Sequence, residues 1–429
     1  MKSKINEILK EILNEINPRK EELDSIHRYL KHFISQFEKK LKSNRIIADV
    51  FVGGSFAKKT LIRKGRYDID IFVRFDEKYK KQDISKLTER VLRSFKTGNL
   101  IPIHGSRDYF KMDVNSVFFV EIIPVLKVKG PKQAENITDL SYFHVNYIKK
   151  KLKTEKILWD VRLAKAFCHA NKCYGAESYI SGFSGYAIEL LVYYYKGFLN
   201  FLKAMEKIKE KEIIDIEKLY KNKYELAMNI NTAKIASPIV LIDPTYKERN
   251  ALAALSHETF KKFQAACRRF LKNPSKECFE LKKIDLGKIK KNAEKNNYEF
   301  ILIKAETDKQ EGDVAGSKLI KFYRHLSEEV GKFYNIKNKD FDYNEKREAE
   351  FFFVARKKKE IIQQGPKMKD RENVILFRKH HKNTFTKNQR IYARDRFDKN
   401  IKEFIEEWKL KNSDKMKAMH IKNLETINF

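Results

Sequence analysis

Gly53-Gly54-Ser55-Phe56-Ala57-Lys58, followed thirteen residues after Ser55 by Asp68-Ile69-Asp70, is the stretch on which the reading of this chain turns. On a strand, residues two apart share a face. Asp68 and Asp70 therefore project together, while Ile69, Ile71, Val73 and Phe75 take the other face and fill a core. Two adjacent carboxylates repel, and they stay ionised at neutral pH only with cations between them. Mg²⁺ is bound by one or two carboxylates plus substrate phosphates, which is what such a pair offers. Taken alone, the pair fits a half-exposed strand with a polar outer face better than a metal site. A third acid changes the reading: Glu121 stands inside Val117–Leu126, a run that is apolar apart from Pro124. A lone carboxylate there is costly unless something pairs with it. If that strand lies beside Asp68–Phe75, three carboxylates converge on a site for two metal ions. Such a site clamps the attacking and leaving oxygens of an in-line phosphoryl displacement. The glycine turn adds backbone N–H groups and a hydroxyl for a triphosphate.

Working outward, residues 3–16 carry Ile5, Ile8, Leu9, Ile12, Leu13 and Ile16 at helical spacing, and Pro18 ends that helix. A second helix is expected over Arg19–Leu41. Strands are expected at Arg45–Val52 and Asp68–Phe75, a hairpin at Tyr109–Val128 with its turn at Asn115-Ser116, and a helix between Glu77 and Lys96. From Phe143 to about Ser256 the pattern is mostly helical, with a turn at Asp243-Pro244. Further on, Tyr298–Ile303 and Ala349–Arg356 read as strands around a helix at Gly316–Phe333, and the chain is expected to finish in a helix from Asp395 to about Leu410.

The chain has 429 residues, 42% hydrophobic and 35% charged, which suits a folded protein of several domains. Its formal net charge of +33 is of the kind usually offset by a polyanionic partner, with nucleic acid the default, although a high Lys content also arises from genome composition alone. Cys168, Cys173, Cys267 and Cys278 match neither a disulfide framework nor a CxxC zinc pair. The most apolar stretch, Ala187–Met205, is interrupted by Glu189, Lys196 and Asn200 and reads as a buried helix rather than a membrane span. A soluble, cytoplasmic protein is expected, with no membrane partner.

The ordered set of glycine turn, Asp-Ile-Asp and third acid resembles the DNA polymerase β-like nucleotidyltransferase superfamily, and within it the archaeal-type (class I) CCA-adding enzymes. The resemblance continues through Tyr142-Phe143-His144, Asp160-Val-Arg-Leu-Ala-Lys165, Tyr174-Gly-Ala-Glu177, Gly182-Phe-Ser-Gly-Tyr186 with Glu189, Asp243-Pro244 and Arg249-Asn250-Ala251. It resumes near the end at Gly365-Pro366 and Arg390-Ile-Tyr-Ala-Arg394, so it covers nearly the whole chain. It implies template-independent addition of the 3′ CCA to tRNA from CTP and ATP, by an α+β, multi-domain protein. The four implied parts are a catalytic domain with a mixed sheet (1–140), a helical central domain completing the nucleotide pocket (141–257), an α+β body (258–365) and a basic tail (366–429). Asp68, Asp70 and Glu121 would hold two Mg²⁺ ions. Gly54, Ser55 and Lys58 would hold the triphosphate, and His144, Lys165, Tyr174 and Arg249 would contact the nucleotide, with Arg249 tied to the selection of C or A. Three departures stand out: Glu121 replaces the usual Asp, the segment Asp243–Arg249 lacks the second Asp-Pro often seen there, and Lys58 stands where Arg is frequent, keeping the charge but losing the bidentate fork. The related alternative is an enzyme adding A only, of poly(A) or oligoadenylate type; a decayed, non-catalytic RNA-binding protein is the remote one.

The tail mixes cations with aromatics in Phe377–Phe385 and Lys387–Phe397, which suits backbone contacts and stacking without base readout. Arg378, Lys379, Arg390 and Arg394 are the RNA-binding candidates, with the acceptor stem and TΨC arm of tRNA as their target. A homodimer stays open.

Overall fold

The computed structural model describes residues 2–427 apart from 64, 96–98, 106 and 282–283. They form two compact units, Met1–Ala176 with Ile180–Lys282, and Glu177–Tyr179 with Lys283–Phe429.

The first unit opens with two amphipathic helices, α1 (Lys2–Ile16) and α2 (Lys20–Ser43). The break between them falls at Pro18, as the sequence predicts. A five-stranded sheet follows, with β1 (Ala48–Val52), a four-residue helix α3 (Gly54–Ala57), β2 (Tyr67–Phe75), α4 (Ile84–Arg93), β3 (Leu100–Ile103), β4 (Tyr109–Asp113) and β5 (Phe118–Leu126). Strand order is β1-β2-β5-β4-β3, and only the central β2–β5 pair is parallel, so the sheet is mixed as expected. Tyr67, Ile69, Ile71, Val73 and Phe75 pack with Ile26, Leu30, Phe33 and Phe37 of α2 in one buried core, which leaves the aspartates on the other face. The expected hairpin is β4–β5: the Asn115 side chain accepts from the backbone N–H groups of Val117 and Phe118 at 2.8 and 3.1 Å, closing the turn. Pro124 lies beyond the ladder that β5 makes with β4, where its missing N–H costs nothing. The helix expected between Glu77 and Lys96 is α4; Lys96 itself lies outside the described residues.

Helices continue with α5 (Ser141–Lys151), α6 (Glu155–Ala170), α7 (Gly185–Tyr194) and α8 (Phe198–Lys207). The apolar stretch read as one buried helix is two. Gly197, at φ +128°, breaks it, and a Cβ there would stand 3.1 Å from the Asp160 carboxylate. Then come β6 (Glu212–Ile214), α9 (Lys223–Asn229), β7 (Ile239–Asp243), β8 (Tyr246–Asn250) and α10 (His257–Lys272), with β6-β7-β8 forming a small sheet. Phe167, Phe183, Phe198, Phe201, Phe263 and Phe270 share a core with Leu9 and Ile12 of α1. The four cysteines are buried and free. Among the described residues no helix is long and apolar enough to cross a membrane.

The second unit contains α11 (Leu286–Lys295), β9 (Glu299–Thr307), α12 (Asp313–Phe333), β10 (Tyr334–Tyr343), β11 (Glu348–Lys357), β12 (Glu360–Lys367), α13 (Arg371–His380), β13 (Thr384–Lys387), β14 (Arg390–Arg396), α14 (Ile401–Lys411), α15 (Ser413–Ala418) and β15 (Ile421–Ile427). Its sheets run β10-β11-β9-β15 and β12-β14-β13. The chain does not finish in the helix expected at Asp395–Leu410. That helix is α14, shorter than expected because β14 holds the backbone extended to Arg396, and β15 follows to pair with β9.

Candidate active site

Helix α3 starts directly off β1, and its geometry explains the double glycine. Gly54 has φ +59°, and a Cβ on it would lie 1.6 Å from Oδ2 of Asp70. The Gly53 N–H donates to the Asp70 carbonyl at 2.9 Å, and a Cβ at Gly53 would strike the Phe72 ring. The turn is thus pressed onto the acidic strand at a distance only glycine permits. Ser55 follows, half-buried, its carbonyl accepting from Thr60 N–H at 2.9 Å.

Parallel register places Asp70 directly opposite Glu121, with Asp68 opposite Phe119, so the three acids occupy one face of two neighbouring strands. Lys111 of β4 is the register partner of Glu121 on its other side, its ammonium 3.8 Å from the Phe119 ring centre. Burial and the charge of Asp68 push the Asp70 carboxyl up to about 7, against the pull of Lys58 and Lys165. A hard dication between the acids relieves that repulsion, and an all-carboxylate donor set suits one. Among the described residues no group of three or more His, Cys, Asp or Glu side chains is placed to hold a metal ion by itself. One or two carboxylates on a shared face can still bind a hard dication that completes its shell with water and phosphate oxygens.

Two buried carboxylates organise the surrounding groups. Glu189 of α7 is fully buried; its Oε2 takes Lys58 Nζ at 2.7 Å, and its Oε1 takes Lys165 Nζ at 2.8 Å and the Thr60 hydroxyl at 2.6 Å. Burial alone would raise Glu189, but the two ammonium charges outweigh it and hold the carboxyl down to about 2. Lys165 also donates to the Thr60 hydroxyl at 2.8 Å and is only 2% exposed, so its ammonium is spent inside this network. The second carboxylate, Asp243, ends β7 and gathers His144 and Arg249. Burial keeps the His144 imidazole below its usual pKa, although Asp243 opposes that shift. Tyr174 stacks on His169 with ring centres 3.8 Å apart. Its hydroxyl lies 2.8 Å from where a Gly185 Cβ would stand, and Ser184 caps α7 there by accepting from Ala187 N–H.

The first unit therefore brings together Gly54, Ser55, Lys58, Asp68, Asp70, Glu121 and Lys165, with His144 and Arg249 on one neighbouring carboxylate. Arg378, Lys379, Arg390 and Arg394 belong to the second unit, where they divide between two elements. Arg378 and Lys379 are exposed in the last turn of α13, which packs against the Ile391 side of the small sheet. Arg390 and Arg394 alternate onto the other side, with Phe385 and Tyr392 stacked 5.4 Å apart. The sequence reading overlooked Glu189 and Asp243 as site residues. Each left a signal: Glu189 interrupts the most apolar stretch, and Asp243 follows the wholly apolar Ile239–Ile242.

Residues 159–280 match the family described as tRNA nucleotidyltransferase, second domain, and residues 3–142 match the Second Messenger Oligonucleotide or Dinucleotide Synthetase domain. A CCA-adding enzyme of Nanoarchaeum equitans is 44% identical over 60% of this chain, a match spanning 62% of that protein's length. One from Methanocaldococcus jannaschii is 30% identical over 91% of this chain and 87% of its own. Among solved structures, a cytoplasmic RNA terminal U-transferase superposes at TM-score 0.50 with 13% identity, covering 66% of this chain and 99% of its own. A mutant of the Cid1 poly(U) polymerase, solved bound to MgATP, gives TM-score 0.50 with 15% identity over 64% of this chain and 98% of its own. The fold is that of the polymerase-β-like nucleotidyltransferases, and the chain belongs to the archaeal-type CCA-adding enzymes, the tRNA nucleotidyltransferases of that superfamily.

Proposed function

We propose that this chain builds and repairs the 3′-terminal CCA of tRNA, using CTP and ATP and releasing pyrophosphate. The observation that carries the reading is the register match of Asp70 with Glu121 beneath a glycine turn that touches Asp70. In this reading Asp68, Asp70 and Glu121 would hold two Mg²⁺ ions, which would supply Lewis-acid stabilisation of the attacking and leaving oxygens. The N–H groups at Gly54 and Ser55 and the Ser55 hydroxyl receive the triphosphate, and Lys58, clamped by Glu189, supplies positive charge beside it. Lys165 acts through the same buried carboxylate rather than by reaching the nucleotide. His144, Tyr174 and Arg249 form the wall against the base. The basic module around β14 takes the acceptor stem and TΨC arm, and the work is cytoplasmic.

The test is extension of a tRNA transcript lacking its CCA end, resolved on a denaturing gel. Two additions with CTP and three with CTP plus ATP are expected. Runs of A without C would replace this reading with an A-adding polymerase, and no extension with any nucleotide and Mg²⁺ would leave only RNA binding. Asp70→Asn and Glu121→Gln are expected to abolish addition while tRNA affinity holds; comparable turnover in either would remove the acids from the chemistry.

A further inference from the structure

Strand β7 is buried at every position and ends in a carboxylate with no exposed surface. An ionised carboxylate is costly in such a place unless donors satisfy it. Asp243 has five. Its Oδ1 accepts from the Thr245 N–H at 2.9 Å, the Thr245 hydroxyl at 2.8 Å and the Tyr186 hydroxyl at 2.9 Å. Its Oδ2 accepts from His144 Nε2 at 3.0 Å and Arg249 Nη1 at 2.7 Å. The His144 and Tyr186 rings stack with centres 4.2 Å apart, and the Arg249 guanidinium carbon lies 5.9 Å from the Tyr186 ring centre. The side chains of His144 and Arg249 keep 13% and 22% of their surface, so the carboxylate lies beneath and its partners reach the solvent above it.

A guanidinium is a planar fork of five N–H donors with no acceptor. Fixing Nη1 on a buried, inward-facing oxygen tethers one corner of the fork and narrows the directions open to the remaining donors. Among the four bases, C and A share an amino group beside an unprotonated ring nitrogen, whereas U and G carry a carbonyl beside a ring N–H. A rigid donor discriminates between these edges only while it cannot swing from the ring nitrogen to the carbonyl.

We propose that Asp243 is a positioning residue for base selection: by holding Arg249, with His144 and Tyr186 stacked beside it, it keeps the donor edge in the one orientation that accepts C and A and refuses U and G. This rests on the CCA-adding reading above. Burial alone would raise the Asp243 carboxyl, but the hydrogen bond from His144 and the charge of Arg249 outweigh it and hold it below the usual carboxylate range, so the anchor stays ionised.

The experiment compares kcat/KM for CTP and for UTP on a tRNA lacking its CCA end, in wild type, Asp243→Asn, Arg249→Gln and the double variant. Losing one charge-assisted hydrogen bond is expected to lower the CTP/UTP ratio about ten- to a hundredfold in Asp243→Asn. The double variant is expected to fall no further than Arg249→Gln alone, because a residue acting through another is not additive with it. An unchanged ratio, or independent losses that add, would make Asp243 merely structural and overturn the proposal. Should Asp243→Asn not fold, Tyr186→Phe removes one donor and keeps the carboxylate. It is expected to lower the ratio in the same direction by a smaller factor, and an unchanged ratio there overturns the proposal too. Wild type that adds neither C nor A overturns the CCA-adding reading itself, whereas wild type that adds both with an unaltered ratio in Asp243→Asn overturns only this inference.

Discussion

Adding one methyl group at residue 54 tests how closely the turn and the acidic strand depend on each other. A Cβ on Gly54 overlaps the Asp70 carboxylate, and φ +59° is strained for any other residue. Left-handed backbone costs a non-glycine residue about 1 kcal/mol, and displacing Asp70 adds to that. Gly54→Ala is therefore expected to lose about 1–3 kcal/mol of stability in urea titration. Moving a reacting group by about an ångström lowers a rate about a hundredfold, so single-nucleotide addition should fall at least that far. Addition at the wild-type rate would show that Asp70 tolerates displacement. The sequence shows two glycines and two acids, and their spacing suggests a phosphate turn near a metal site. That one glycine is obligatory because of one particular carboxylate follows only from the register of β2 against the turn.

At the scale of elements, Glu189 joins the end of α3 to α6 and α7 through Lys58, Thr60 and Lys165. Breaking a buried ion pair by removing one partner costs about 3–5 kcal/mol, because the remaining charge stays buried and unpaired. Glu189→Gln leaves two ammonium groups in that position and is expected to lose stability on that scale. The pH dependence follows from the lowered carboxyl, since its stabilisation is complete above the ordinary glutamate range and is lost as pH falls through about 2. The gap between wild type and Glu189→Gln in urea midpoint should hold constant from pH 8 to about 5 and close only in strong acid; a gap that closes by pH 5 would contradict the buried pair. Helices α1 and α2 were legible because their apolar spacing is regular and Pro18 separates them. The α7–α8 break was not, because Gly197 sits in an apolar run that reads as continuous until Asp160 packs against it. Strand β10 was missed for a different reason: it is a polar edge strand with a bulge between Ile336 and Asn338 that interrupts its alternation.

Over the whole molecule, the charge of +33 has to be read together with where its cations stand. Lys165 is consumed internally by Glu189 and Lys58 is clamped to the same carboxylate, whereas Arg378, Lys379 and Arg394 are exposed. Arg394 lies over the Phe385 ring at 5.5 Å and only loosely meets Glu360 at 3.5 Å; Arg390 donates to the Gly365 carbonyl at 3.4 Å. The composition of this segment was legible as basic and aromatic. Its architecture was not, because β12 and β14 pair across an intervening helix and strand, and β15 returns to β9 from more than a hundred residues away. Such long-range pairings leave no local period to read. The charges on the stacked face give the last prediction. Each phosphate contact contributes about one unit to the slope of log binding constant against log salt. Replacing Arg390 and Arg394 together by Ala is expected to lower that slope for tRNA by about two units. Because these arginines and the acids belong to separate compact units, the turnover number at saturating tRNA should stay near wild type while KM for tRNA rises. Filter binding at several salt concentrations measures the slope directly. An unchanged slope would remove Arg390 and Arg394 from the RNA interface and leave Arg378 and Lys379, on the opposite side of that sheet, as the cations to test next.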